Sequence, residues 1–79
     1  MAFIELKPEV VADLVSPHRL VAYWVEWAKK TKGSLQAGLN VLNVKADTNY
    51  RTNVVYEWRN DRYAPPAKVV TIMLMDLLT

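Results

Sequence analysis

Between Gly33 and Pro66 the chain carries two short apolar-periodic pieces, each introduced by helix-capping residues, with a polar connector between them. This alternation constrains the fold most. Ser34 stands where its hydroxyl can satisfy a free backbone N–H, and Leu35, Leu39 and Leu42 then recur at spacings of four and three, which places them on one helical face. The second piece follows Asp47-Thr48-Asn49 and is expected to start near Tyr50, with Val54, Val55 and Trp58 toward one side. An Asn60-Asp61 turn and Pro65-Pro66 then force an extended exit before another helix can begin.

The flanking segments read as helices too. Ser16-Pro17 pairs a capping hydroxyl with proline at the first helical position, and the apolar pattern runs from there to about Thr31. Leu20, Trp24 and Trp27 share one face, with Val21 and Val25 beside it, and tryptophans at this spacing are core. Lys29, Lys30 and Lys32 complement the negative helix end before Gly33 terminates it. Upstream, Pro8 and Glu9 suit a helix start, with Val10, Val11, Leu14 and Val15 as its apolar face. Ala2 to Lys7 is too brief to separate a short strand from an extended arm.

From Pro66 to Leu78 only Lys68, Thr71 and Asp76 interrupt a run of large apolar residues, more than one amphipathic face can hold. Such a helix packs on its own domain on one side and on something else on the other. Met73, Leu74, Leu77 and Leu78 are the expected interface of a homodimer; the competing reading is a central helix covered by the N-terminal ones. The expected fold is all-α: one five-helix domain over residues 1–79, with a possible short extended N-terminal arm.

A helix that hides Val55 and Trp58 presents Arg51, Thr52, Asn53, Tyr56 and Arg59 around its other sides. Amide, hydroxyl and guanidinium groups together are what base edges and phosphates require. Two runs here resemble a known family. Gly38-Leu39-Asn40-Val41-Leu42-Asn43-Val44 is similar to the "LAxxLGV" end of the second helix in Cro/repressor-type (lambda-repressor-like) helix-turn-helix proteins. Val55-Tyr56-Glu57-Trp58-Arg59-Asn60-Asp61-Arg62, followed by Pro65-Pro66, is similar to the "VxRWxNGRRxP" end of their recognition helix. The resemblance covers roughly residues 33 to 75, and its second half is the more distinctive. Three features depart from the pattern: Gly38-Leu39 replaces Leu-Ala, Asn43 replaces a helix-ending glycine, and Val44 and Trp58 are fourteen residues apart. That spacing is roughly six residues more than the tight turn of the motif allows, so the connector Lys45 to Asn49 must loop out or the second helix must start early.

The resemblance implies a small, dimeric, sequence-specific regulator of the phage or mobile-element kind, bound to double-stranded DNA. The helix starting near Tyr50 would enter the major groove, with Arg51, Thr52, Asn53 and Tyr56 at or near the bases. Arg51 suits guanine and Asn53 suits adenine. Ser34, Gln36, Lys45, Arg59, Arg62 and Lys68 are the expected phosphate contacts. Charge agrees with this. The chain's net charge is only +2, yet Lys29 to Lys68 holds eight Lys/Arg against three Asp/Glu, and the remainder is net acidic.

Composition bounds the alternatives. Seventy-nine residues make one small domain, and no cysteine is present to provide a disulfide or a thiolate metal site. An apolar share of 52%, with three Trp and four Tyr, points to a dense core or to burial against a second copy. One histidine (His18), scattered acids and only two glycines leave no expected metal site, cofactor, phosphate loop, small-molecule substrate or catalytic residue. No signal-peptide pattern and no membrane span is evident, and the expected compartment is the cytoplasm. The alternative function is a small helical protein-interaction module, such as an antitoxin or an inhibitor of a host enzyme. Its binding face would come from the apolar C-terminal helix and the aromatic helix Pro17 to Thr31.

Overall fold

The computed structural model describes residues 4–79. They form five α-helices and no strand: α1 Pro8–Leu14, α2 Pro17–Thr31, α3 Leu35–Ala46, α4 Thr52–Arg59 and α5 Ala67–Leu78. Ala2 and Phe3 of the expected arm lie outside the described residues, and Ile4 to Lys7 form neither strand nor helix.

Helix α2 is the centre of the domain, and α1, α3, α4 and α5 all pack on it. Leu20, Val21, Trp24, Val25 and Ala28 are fully buried along its length, against Leu35, Leu39 and Leu42 of α3, Val55 and Trp58 of α4, and Val69, Met73 and Leu77 of α5. The ends of α2 fall where Pro17 and Gly33 place them; Gly33 takes a left-handed φ of 90°, which releases the chain from the helix. Ser16, however, makes no side-chain cap. Its hydroxyl lies 3.0 Å from Nδ1 of His18 instead.

Helix α3 crosses α2 at unusually close range. A Cβ built on Gly38 would stand 2.4 Å from the Cβ of Ala28 and 3.3 Å from its Cα, so only a residue without a side chain fits.

Helix α5 corrects the expectation of a homodimer seam made by Met73, Leu74, Leu77 and Leu78. Met73 and Leu77 are fully buried inside the domain, because α2 and α3 both rest on that face. The competing reading, a helix covered by its own domain, holds for this row. Leu74 is half-buried, and Met75 and Leu78 point outward. Asp76 also turns inward: its carboxylate accepts the indole N–H of the buried Trp24 at 3.0 Å and the Lys45 ammonium at 3.1 Å. This one side chain joins α2, α3 and α5.

Helix α1 contributes no buried residue, and Val11 and Val15 of its expected apolar face are exposed. Leu14 packs against the edge of the core, and polar contacts add to that attachment. Asp13 accepts Nη1 of Arg19 at 2.7 Å and the Tyr23 hydroxyl at 3.0 Å, both from α2. The Arg19 hydrogen bond, followed by that of Tyr23, lowers the Asp13 pKa below its ordinary 3.8. The carboxylate form is thus favoured in the fold, so this tether is fully present above pH 3.8 and is lost as pH falls through the lower folded value. Below that window the amides of α1 should exchange faster than those of α2 to α5, and Arg19→Ala should move the Asp13 titration, read by carboxyl NMR, back toward 3.8. An unchanged Asp13 titration in that variant would mean the guanidinium does not hold it.

Candidate nucleic-acid interface

The connection between α3 and α4 runs from Asp47 to Arg51. Helix α3 continues past Asn43 to Ala46, and the left-handed residue that ends it is Asp47, with φ 55°. The helix end expected at Asn43 is therefore displaced, and Asn43 does something different. Its Oδ1 accepts the Tyr50 N–H and the Thr48 hydroxyl, each at 2.9 Å, while its Nδ2 donates to the Tyr50 carbonyl at 3.0 Å. The Asn43 backbone carbonyl also accepts the Thr48 N–H at 3.0 Å. The looped-out connector is thus pinned from within α3, which accommodates the excess spacing before Trp58.

Helix α4 starts at Thr52, two residues later than expected, with Arg51 as its N-cap residue in extended backbone. It leans mainly on α2. Val55 is fully buried and Trp58 is 3% exposed, while the Tyr50 ring stands edge-on to Trp58 with centroids 4.9 Å apart. On the other sides Arg51 and Asn53 are exposed and Thr52 and Arg59 half-buried, while Tyr56, expected near the bases, is half-buried and packs against the core. The Arg59 guanidinium lies 4.6 Å from the centre of the Tyr56 ring, one turn back, so the cation is stacked rather than extended. Beyond the helix, Arg62 and Lys68 are exposed; Lys68 lies in the first turn of α5, and neither α4 nor α5 has an acid in its first turn.

Other expected contacts are engaged elsewhere. Ser34 accepts the Ala37 N–H at 3.0 Å and is the helix cap its position indicates. Gln36 is exposed but donates to Asn40 at 2.8 Å along α3. Lys45 is half exposed, and its ammonium pairs with the largely buried Asp76 carboxylate at 3.1 Å, so a phosphate there would compete with Asp76. The aromatic helix of the alternative reading is likewise occupied, because Trp24 is wholly buried and stacks on the half-buried Trp27.

An open groove of about 370 Å³ runs past Trp27, Thr31, Lys32, Lys45, Asp76 and Thr79. Its charged groups are already partnered, Lys45 with Asp76 and Lys32 over the Trp27 ring. Among the described residues there is no cluster of three His, Asp or Glu able to hold a metal ion, and no helix is long and apolar enough to cross a membrane.

The outer sides of α4 thus combine hydrogen-bonding and cationic side chains with one acid, Glu57, on a helix seated by Val55 and Trp58. No family model, curated protein or solved structure matches this chain.

Proposed function

We propose that the chain is a sequence-specific, double-stranded DNA-binding regulator, non-enzymatic and cytoplasmic, that reads the major groove with the N-terminal half of α4. The observation that carries this reading is the seating of α4: Val55 and Trp58 fix it inward while Arg51 and Asn53 stay exposed at its leading end. Recognition helices meet base edges with their N-terminal residues, and guanidinium and carboxamide groups match guanine and adenine edges. Arg62 and Lys68 flank the helix as phosphate contacts, with Arg59 held ready on Tyr56.

Duplexes selected from random DNA test the assignment. Arg51→Ala or Asn53→Ala should weaken binding to the selected site by about 1–3 kcal/mol and relax preference at one base pair. Lys68→Ala should weaken all sequences alike and lower the salt slope by about one. Unaltered site choice in both α4 variants would remove α4 from the role. Binding that ignores salt altogether would favour the protein-interaction reading.

A homodimer would use a smaller part of α5 than the sequence pattern indicates. A second copy would meet the outward row of α5, Leu74, Met75 and Leu78, because Met73 and Leu77 belong to the core. Sedimentation should give twice the 9.1 kDa chain mass, and Met75→Lys should return it to one chain. A wild-type monomer at all concentrations, with and without DNA, would discard the dimer.

A further inference from the structure

We infer, resting on the DNA-reading role proposed above, that Asn43 sets the protein's sequence preference without touching DNA, as the residue that positions Arg51. The connector from Asp47 to Arg51 contains no regular structure that would fix where α4 begins. Tyr50 is the last residue before the N-cap, and both of its backbone groups are captured by one side chain, the N–H by Oδ1 of Asn43 and the carbonyl by Nδ2. The same Oδ1 takes the Thr48 hydroxyl, so three hydrogen bonds converge on a single carboxamide that is itself half-buried on α3. Tyr50 is held from the other side by its ring contact with Trp58.

The clamp therefore closes one peptide unit from Arg51, a distance of about 3.8 Å between α-carbons. Releasing it frees the leading end of α4 while Val55 and Trp58 keep the rest of the helix seated. Asparagine is required by chemistry: aspartate lacks the donor for the Tyr50 carbonyl, and alanine lacks both groups. A displaced Arg51 loses the paired geometry that guanine requires, whereas attraction to phosphates tolerates such a shift.

The experiment compares wild type with Asn43→Ala on two duplexes, the site wild type selects from random DNA and a scrambled version, at one salt concentration. Amide exchange at Thr48 and Tyr50 is followed in the free protein. We expect the ratio of the two affinities to fall about tenfold or more while affinity for the scrambled duplex changes by less than about twofold. The Tyr50 amide should lose its protection. If Asn43→Ala does not fold, Asn43→Asp, which keeps the acceptor, should give an intermediate ratio. A ratio unchanged in the folded variant overturns the proposal, and so does a Tyr50 amide that stays protected. A wild-type protein that selects no sequence overturns the DNA reading, and with it the specificity assigned to Asn43; the exchange data then still report whether Asn43 holds Tyr50.

Discussion

Placing valine at Gly38 should destabilise the domain by about 3 kcal/mol, the upper end of the usual cost of overpacking. The first added carbon already falls 2.4 Å from the Cβ of Ala28, and neither partner is a flexible chain end that could swing away. Two helix backbones must separate, and the buried faces of Leu39 and Trp24 separate with them. Urea unfolding followed by circular dichroism measures the loss. The second substitution Ala28→Gly should recover part of it, despite the roughly 1 kcal/mol that glycine costs inside a helix. A double variant no more stable than Gly38→Val alone would show that the α2–α3 crossing is not what excludes a side chain.

Trp58→Ala should be still more damaging, by about 3–5 kcal/mol. Trp58 is the largest side chain α4 buries, and Tyr50 packs edge-on against it. Such aromatic pairs add roughly 0.5–1.5 kcal/mol beyond the area they cover. The damage should be uneven. Amides of α4 and the connector should lose protection before those of α2, since α4 is a short helix with only Val55 and Trp58 fully committed to the core. Trp58→Phe, which keeps a ring beside Tyr50, should retain more than half of the lost stability. Uniform loss of protection across all five helices would instead mean that α4 has no separate stability to lose.

Much of the architecture was legible in the chain because the signals for it are local. Ser16-Pro17 and Gly33 bracket α2, and the Leu35, Leu39 and Leu42 spacing gives the buried face of α3. Val55 and Trp58 turn inward as their spacing indicates, leaving Arg51 and Asn53 outside. What escaped depends on partners far along the chain. On α5, Val69, Val70, Ile72, Met73, Leu74, Met75, Leu77 and Leu78 leave no polar face to mark the outside; Met73 and Leu77, expected on an interface, lie in the core instead. Asp76 marks the outside misleadingly, since it faces inward to Trp24, 52 positions earlier. Lys45 looks available until Asp76 is known to hold it. Asn43 resembles a helix terminator by residue type, and its clamp becomes visible only once Tyr50 has folded back beside it.

The Trp24–Asp76 hydrogen bond also bears on how the protein is made. During synthesis the indole at the centre of α2 emerges early, and its acceptor emerges 52 residues later. Until then the face of α2 that α5 covers has no partner, and the Trp24 N–H has no acceptor. A chain cut before Asp76 should therefore leave the buried Trp24 N–H without its acceptor, a loss of about 1–3 kcal/mol that urea unfolding would register.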